Sequence, residues 1–230
     1  MKKQYKLGVI GGGFMASAIL KGIVYSDFMR AKKIIVADPS AQAREKIGEL
    51  GVYTTANNRD VAGNCEYLLF AVNPQTFADA AASIKGLPVE KVITIMAGVK
   101  KQKIKDLLFG NNIKVARAMP NLPCSIGSGM TAVDLEDFSD DTDECSFILD
   151  VFGKLGEVLT VPEEKLDAVT GISGSGPAYV YMFIDGLIKA GVKQGLTEEE
   201  AKILAVATVK GGADMVAHSE DKTLSELISA

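Results

Sequence analysis

Short apolar runs alternate with stretches of helical periodicity through the first half of the 230-residue chain. The runs are nearly continuous in apolar residues, which is typical of parallel strands covered by helices on both faces. Apolar residues recur at helical spacing from Ala16 to Ile23, and Ser40 is placed to cap a second helix over residues 41–50. This order predicts an α/β fold with a doubly wound parallel sheet. The predicted strands span residues 7–10, 33–37, 67–72, 91–96 and 114–118.

The pattern changes after Val161, beyond which we predict only helices. Pro177 is placed to open one helix, and a capping box begins at Thr197 ahead of another. The apolar faces of both helices carry many small residues, which let helices pack closely within one chain or across a subunit interface. We therefore predict two domains, one over residues 1–161 and a smaller, all-helical one over residues 162–230.

Three consecutive glycines follow the first predicted strand and precede the first predicted helix. With Ala16 they make G-x-G-x-x-A, the fingerprint of a Rossmann-type dinucleotide-binding turn, in the context that this fingerprint requires. Gly11 allows the tight turn, and Gly13 lets the backbone approach a pyrophosphate. The helix N-terminus offers free N–H groups to the phosphates. We predict a nicotinamide dinucleotide site here; a strand-to-helix turn without a ligand is the alternative.

Asp38 ends the second predicted strand, about 20 residues beyond the glycine turn. In this fold a carboxylate there accepts hydrogen bonds from the adenosine ribose and repels a 2′-phosphate, which favours NADH. Ser40 and Arg44 lie just downstream and could hold that phosphate, and Asp38 with Pro39 could instead cap the next helix. We expect NAD(P)H as the cofactor, with a weak preference for NADH.

The composition excludes several other classes of function. A net charge of −4 with scattered basic residues offers no surface for nucleic acid or an anionic membrane. No apolar stretch approaches the roughly 20 residues needed to span a bilayer. The three cysteines have no metal-like spacing, so we expect reduced thiols in a cytoplasmic protein without a metal. We expect His218 to be a surface residue, and the run from Lys100 to Lys105 to be the solvated start of a helix.

Further motifs follow the glycine turn along the chain. Residues 71–74 read Ala-Val-Asn-Pro, and Ala97-Gly98 follows the next predicted strand. Residues 117–123 read R-A-M-P-N-L-P, and residues 167–179 read D-A-V-T-G-I-S-G-S-G-P-A-Y. Together with the glycine turn, this ordered set resembles the pyrroline-5-carboxylate reductase family, which performs the last step of proline synthesis. The resemblance covers essentially the whole chain.

This resemblance implies NAD(P)H-dependent reduction of 1-pyrroline-5-carboxylate to L-proline. It also implies a Rossmann domain followed by a helical domain that dimerises with its twin, often in larger rings of dimers. The cofactor residues that it implies, together with Asp38, are Ile10, Gly11, Gly12, Gly13, Phe14, Met15, Asn58, Ala71, Val72, Asn73, Pro74, Ile95, Met96 and Ala97. The substrate residues that it implies are Asn121, Ser173, Gly174, Ser175, Gly176 and Glu220.

Two departures from the family's pattern carry expectations of their own. Asn73 stands where the family usually has lysine, and the loss of that cation removes a phosphate or ribose contact and weakens the case for NADPH. Residues 224–230 resemble the lead-in to the family's S-P-G-G-T-T segment, which holds the substrate carboxylate in the family. We therefore expect a helical domain truncated at its C-terminus, a natural gene that continues beyond Ala230, and feeble activity from this chain alone.

Reduction of a carbon–nitrogen double bond needs a hydride donor and a positioned electrophile. A cyclic imine can enter already protonated as the iminium, so such a site works chiefly by orientation and by excluding water. We therefore assign no catalytic residue from the sequence. The loop from Ser173 to Gly176 is either a plain turn that feeds a helix or an anion site built from backbone amides and a helix N-terminus.

Two other functions stay open. Enzymes of the 3-hydroxyacid dehydrogenase and imine reductase group usually place a lysine or aspartate on the first long helix of the second domain, where this chain has Asp185 and Lys189. We expect Asp185 to be structural or at an interface. The second alternative is a non-catalytic dinucleotide-binding regulator, which would bind NADH and consume none of it with pyrroline-5-carboxylate.

Overall fold

The computed structural model describes residues 3–108, 112–219 and 221–229. The chain divides into two compact units, Met1–Ser175 (the first unit) and Gly176–Ala230 (the second unit). The strands are β1 (Tyr5–Ile10), β2 (Ile34–Ala37), β3 (Tyr53–Thr55), β4 (Cys65–Phe70), β5 (Lys91–Thr94), β6 (Lys114–Met119), β7 (Gly129–Asp134) and β8 (Gly156–Thr160). The helices are α1 (Phe14–Tyr25), α2 (Ala41–Gly48), α3 (Asn58–Ala62), α4 (Phe77–Ser83), α5 (Lys101–Leu108), α6 (Thr142–Gly153), α7 (Leu166–Val169), α8 (Gly176–Lys193), α9 (Glu198–His218) and α10 (Leu224–Ser229).

The strands form one sheet in the order β3-β2-β1-β4-β5-β6-β7-β8. Neighbouring strands are parallel except for the antiparallel pair β6 and β7. Leu7 on β1 lies opposite Ile34 of β2 on one side and Tyr67 of β4 on the other. The strand order therefore reverses at β1, and open α/β sheets bind ligands at such a point. The predicted doubly wound sheet is confirmed, and the five predicted strands correspond to β1, β2, β4, β5 and β6.

Helices cover both faces of this sheet. On one face, α1, α2 and α6 contribute Ile19, Ile47 and Ile148 to the buried core. On the other face, α3 and α5 contribute Val61 and Ile104. The central strands β1 and β4 are buried over nearly their whole length. Burial on both faces explains why these strands are nearly continuous in apolar residues instead of alternating.

Three strands, β3, β7 and β8, were not predicted. The sheet has β3 and β8 at its edges, where mostly exposed side chains leave no apolar run to detect. The pairing of β7 with β8 depends on a close backbone approach. Gly156 has a φ of +137°, and a Cβ there would collide with the carbonyl oxygen of Gly129. No pattern of apolar residues records such an approach.

The prediction of a solvated lysine run is wrong at Lys101. Helix α5 begins there, but Lys101 is buried, and its Nζ donates to Asp134 at 2.5 Å and to Glu136 at 3.1 Å. Burial alone would lower the pKa of this ammonium, but the hydrogen bonds to the two carboxylates raise it overall. Because the carboxylates lie on and after β7, a strand that the sequence did not reveal, this burial was not foreseeable from spacing.

The second unit consists, in its described residues, of α8, α9 and α10. The helix predicted to open at Pro177 is present, and it begins one residue earlier, so that Pro177 is the second residue of α8. The predicted capping box is confirmed, because Glu200 N donates to Thr197 Oγ1 at 3.2 Å and Thr197 N donates to Glu200 Oε2 at 2.8 Å. α8 and α9 pack closely: a Cβ on Gly191 would lie 3.0 Å from the Cβ of Ala201.

The compact units divide after Ser175, whereas the predicted domains divide after Val161, where the predicted strands end. The two divisions differ over residues 162–175, a largely helical segment whose Leu166 is buried within the first unit. The first division rests on contacts and the second on where the predicted strands end, so the predicted domain boundary at residue 161 stays a prediction.

Candidate functional site

The glycine turn connects β1 to α1. Gly11 has a φ of +99°, and a Cβ there would lie 2.6 Å from the carbonyl oxygen of Ala71, so this position requires glycine. The Gly11 N–H donates to the carbonyl oxygen of Ala37 at 2.8 Å, which ties the turn to the end of β2. The backbones of both neighbouring strands therefore hold the turn in place.

Neither the backbone conformation nor a contact with the described part of the chain requires glycine at position 13. Gly13 is the N-cap of α1, with φ −69° and ψ −169°, a conformation open to any residue. A Cβ there would have no heavy atom within 4 Å. Helix α1 also has no acidic residue in its first turn and no side chain that caps it. The first N–H groups of α1 are therefore open to an anion, which agrees with the predicted role of Gly13.

Asp38 reaches from the end of β2 back to the glycine turn. Its Oδ2 accepts a hydrogen bond from Gly12 N at 2.7 Å, and its Oδ1 accepts one from Ser40 N at 2.8 Å. Ser40 is the N-cap of α2, since its Oγ accepts from Ala43 N at 3.3 Å, so Asp38 does not cap that helix. A carboxylate therefore stands beside the open helix N-terminus.

A cavity of about 420 Å³ opens beside the turn, along the carboxyl ends of β1, β2 and β4. Its described lining includes two carboxylates, Asp38 and Asp79, and neither lysine nor arginine. Thr76 and Ala80 also line it, and the sequence did not identify these two residues or Asp79 as part of the site. The predicted cofactor residues that line it are Ile10, Gly11, Gly13, Asp38, Asn58, Ala71, Val72 and Asn73.

A second cavity, of about 360 Å³, also borders Gly13 and lies between α1 and α2. The predicted residues Gly12 and Phe14 line it together with Lys21 and Lys46. Its described lining contains no carboxylate. The glycine turn therefore adjoins one cavity with acidic side chains and another with basic ones.

Two further turns lie at the same edge of the sheet. Residues 71–74 follow β4 and residues 95–97 follow β5, and the register places Ile10 beside Phe70 and Phe70 beside Thr94. The ends of β1, β4 and β5 are therefore adjacent, as expected for a dinucleotide that crosses them. The predicted cofactor residues that line neither cavity are Met15, Pro74, Ile95, Met96 and Ala97.

Asn121, predicted to bind substrate, is brought together with Ser173. Its Nδ2 donates to the carbonyl oxygen of Ser173 at 3.1 Å, and its Oδ1 accepts from Met130 N at 3.0 Å. Asn121 is buried, so its amide joins β7 to the segment that precedes α8. A direct contact between Asn121 and the substrate stays a prediction.

Residues 170–174 form a single π-helical turn, closed by Ser175 N donating to the carbonyl oxygen of Thr170 at 2.8 Å. Gly174 lies against Met119, whose Cε would be 2.7 Å from a Cβ at that position. Single π turns inside helices occur frequently at functional sites. Of the other predicted substrate residues, Ser173, Gly174 and Ser175 lie in or directly after this turn, Gly176 begins α8 in the second unit, and Glu220 lies outside the described residues.

Arg117 and Asp167 are the first residues of the two long motifs, and neither of them has a predicted role. In the structure, Arg117 Nη2 donates to Asp167 Oδ1 at 3.1 Å, and Arg117 Nη1 lies 3.5 Å from Glu163 Oε1. The opposite charges of these two residues, each at the start of a motif, were the only feature of the motifs that could have predicted this ion pair. Their separation of 50 positions hides the contact.

Cys65, Asp185 and Lys189 line neither of the two cavities. Burial raises the pKa of the Cys65 thiol to about 12. Asp185 and Lys189 form an exposed ion pair one turn apart on α8, at 2.6 Å. Across the described ranges, no three His, Cys, Asp or Glu side chains are grouped closely enough to hold a metal ion. Likewise, no helix in the described part of the chain has the length and apolar character needed to cross a membrane.

Comparisons with known proteins match both ends of the chain. Residues 163–230 match the family model described as pyrroline-5-carboxylate reductase dimerisation, and residues 6–98 match the one described as NADP oxidoreductase, coenzyme F420-dependent. The pyrroline-5-carboxylate reductase of Synechocystis sp. is 38% identical over 94% of this chain and 80% of the relative. That of Pisum sativum is 31% identical over 94% of this chain and 78% of the relative.

Two solved structures are similar over the whole fold. A pyrroline-5-carboxylate reductase from Coxiella burnetii superposes with a TM-score of 0.87 at 29% identity, covering 98% of this chain and 84% of that one. The Plasmodium falciparum pyrroline carboxylate reductase with NADP bound superposes with a TM-score of 0.84 at 30% identity, covering 99% and 84%.

Proposed function

The chain belongs to the pyrroline-5-carboxylate reductase family, and on that basis we propose that it reduces 1-pyrroline-5-carboxylate to proline with a reduced nicotinamide dinucleotide bound at the glycine turn. The observation that carries the proposal is the open N-terminus of α1 at Gly13, with the Asp38 carboxylate beside it. This pairing suits two adjoining parts of an adenosine diphosphate: the backbone N–H groups can bind the pyrophosphate, and the carboxylate can accept hydrogen bonds from the ribose hydroxyls.

The chain's own contribution to the reaction is binding, orientation and the exclusion of water. The dinucleotide, when bound, supplies the hydride. Ile10 and the turns after β4 and β5 hold the reacting end at the carboxyl edge of the sheet. Residues 173–176 border the substrate in this proposal, and Asn121 fixes that segment through the Ser173 carbonyl. Since the imine enters protonated, we assign no side chain as a proton donor.

Within this function we further propose a preference for NADH over NADPH. Asp38 already accepts from Gly12 N and Ser40 N, so its negative charge occupies the donors that a 2′-phosphate would use. The cavity beside it contains Asp79 and, in its described lining, no cation, with Asn73 where the family usually has lysine. The lysines of the second cavity, Lys21 and Lys46, favour the opposite preference.

The chain is a homo-oligomer by its family's dimerisation region, and we propose a symmetric homodimer as its minimal unit. The support is the large number of exposed apolar side chains on α8 and α9. Such faces are normally covered by a partner. Rings of dimers are a further expectation of the family resemblance.

The test of this proposal follows the oxidation of NADH and of NADPH with pyrroline-5-carboxylate, and the formation of proline, by the native chain and by Asp38→Ser. We expect proline formation with both cofactors, a higher kcat/KM with NADH, and a smaller or reversed ratio in Asp38→Ser. NADH binding without oxidation would favour the non-catalytic regulator. A preference for NADPH of about tenfold or more (1.4 kcal/mol,) in the native chain would show that the basic residues near the turn dominate.

A further inference from the structure

Residues 167–174, which run into the predicted substrate loop (residues 173–176), pack on one face of β6 and of residues 120–121 that follow it. Residues two apart on a strand point to the same side of the sheet. Arg117, Met119 and Asn121 are spaced in this way, and each of them contacts residues 167–174. The contacts are an ion pair with Asp167, a close approach to Gly174 and the hydrogen bond to Ser173. This segment therefore lies on β6 from its first helical turn to its last.

Arg117 makes the ionic contacts between β6 and this segment. It is only 3% exposed, and its guanidinium lies 3.1 Å from Asp167 and 3.5 Å from Glu163. A buried guanidinium without partners is costly, so the two carboxylates satisfy a charge that the sheet has already buried. Arg117 thereby fixes where α7 begins.

Glu163 extends the network to the turn after β5. Its Oε1 accepts a hydrogen bond from Lys101 N at 2.7 Å, at the start of α5. That helix begins four residues after Ala97, the last residue of the turn that we expect at the reacting end of the cofactor. One arginine therefore links the segment before the substrate loop to the cofactor turn.

The exposure of Asp167 separates a positioning role from a stabilising one. Its side chain is 68% exposed. Without the Asp167 charge Arg117 still pairs with Glu163, and an asparagine at position 167 still offers it a carbonyl oxygen, so we expect little loss of folding stability. We propose that Arg117 is a positioning residue, which acts through Asp167 and Glu163 to hold the substrate loop against the cofactor turn. This inference rests on the proposed function of the loop.

The variant that tests it is Asp167→Asn, which removes one charge from a mostly exposed side chain. We expect about a tenfold lower kcat/KM for pyrroline-5-carboxylate, with both a raised KM and a lowered kcat, because the loop is misplaced relative to the hydride donor. The Kd for NADH and the melting temperature should stay at the native values. Asp167→Glu, which keeps the charge, should recover most of the loss.

Asp140→Asn is the matched control. Asp140 is 75% exposed and pairs with Lys114, at the opposite end of the same strand, at 2.7 Å. It should leave the kinetics unchanged. If Asp167→Asn matches the native kinetics while the native chain is active, the positioning role is overturned and the proposed function stands.

Amide hydrogen exchange makes the inference independent of turnover. In Asp167→Asn, residues 166–175 should exchange at least about fivefold faster than in the native chain, and in Asp140→Asn they should not. If the native chain does not reduce pyrroline-5-carboxylate, the proposed function fails, and exchange alone decides whether Arg117 holds this segment. Unchanged exchange in Asp167→Asn contradicts the inference in either case.

Discussion

The helices of the first unit and those of the second differ in what covers them. Helix α1 of the first unit has 12 residues and buries Ala16, Ile19, Leu20 and Ile23 against the sheet. Helix α8 of the second unit has 18 residues, all described, and buries none of them. Both helices show apolar residues at helical spacing. The periodicity of a helix therefore tells which face is apolar, and it does not tell whether the same chain covers that face.

The two units therefore have different roles in the molecule. The first unit closes its own core and presents the glycine turn at the carboxyl ends of its central strands, where backbone hydrogen bonds hold it. The second unit exposes apolar faces, which we propose that a partner copy covers, in the region matched by the family's dimerisation model. We expect substitutions in the two units to affect different measurements.

The largest effect is expected for a charge on the apolar face of α8. Met182→Asp places an unpaired carboxylate in the proposed dimer interface, and twofold symmetry places it there twice. We expect dimerisation to weaken by at least about a thousandfold, measured by analytical ultracentrifugation over a dilution series. Tyr25→Asp is the control, since Tyr25 in the first unit is equally exposed (74%, against 72% for Met182). A dimer as tight as the native one in Met182→Asp would remove the reason given for the exposed face.

The next effect compares one substitution in the two units. Leu69 on β4 is fully buried (0% exposed), whereas Leu204 on α9 is 55% exposed. Leu69→Ala should lower the free energy of unfolding by about 2–5 kcal/mol, whereas Leu204→Ala should cost the monomer less than about 1 kcal/mol. Chemical denaturation at a protein concentration below the dimer's dissociation constant measures both. Equal costs would mean that the second unit has a core of its own.

The smallest effect concerns an ionic contact inside the first unit. Burial alone would raise the pKa of Asp137, but hydrogen bonds from Lys105 and Val115 N, with the charges of Lys101 and Lys105, hold it below its usual value. A depressed pKa stabilises the fold above the unfolded-state pKa, and this contribution is lost as the pH falls through the lower folded value. Asp137→Asn should therefore lower the free energy of unfolding by about 1 kcal/mol at pH 7, measured by chemical denaturation.

This cost should disappear at an acidic pH below the lowered pKa of Asp137 in the folded state, where the native carboxyl is protonated as well. Asp185→Asn, which removes the exposed ion pair on α8, should leave stability unchanged at both pH values. A cost for Asp137→Asn that does not vary with pH would assign the effect to packing instead of charge.

Much of the fold was predictable because local signals and tertiary packing agree in the first unit. The strands that flank the glycine turn are buried on both faces, so their composition reveals them. The caps at Ser40 and Thr197 are local and were predicted correctly. The edge strands β3 and β8 are mostly exposed and show no comparable signal.

The sequence predicts those parts of the site whose residues belong to a motif with a fixed spacing. Gly13 and Asp38 lie 25 residues apart in the sequence, at the ends of adjacent strands, a spacing that the fold itself imposes. The contact of Arg117 with Asp167 depends on how α7 packs against β6, which no spacing reveals. The cytoplasmic location and the role of Glu220 stay predictions.

The central claim, that a reduced nicotinamide dinucleotide binds at the glycine turn, is tested most directly by Gly13→Val in isothermal calorimetry. A side chain at position 13 has room in the fold, since its Cβ would meet no heavy atom within 4 Å, but it would stand where the pyrophosphate must approach. Gly153→Val, at the end of α6 where a Cβ is equally free of contacts, is the control. We predict that Gly13→Val keeps the native melting temperature and binds NADH at least about a hundredfold more weakly (2.7 kcal/mol,), while Gly153→Val binds it as the native chain does. A folded Gly13→Val protein with the native Kd for NADH would place the cofactor elsewhere and contradict the account.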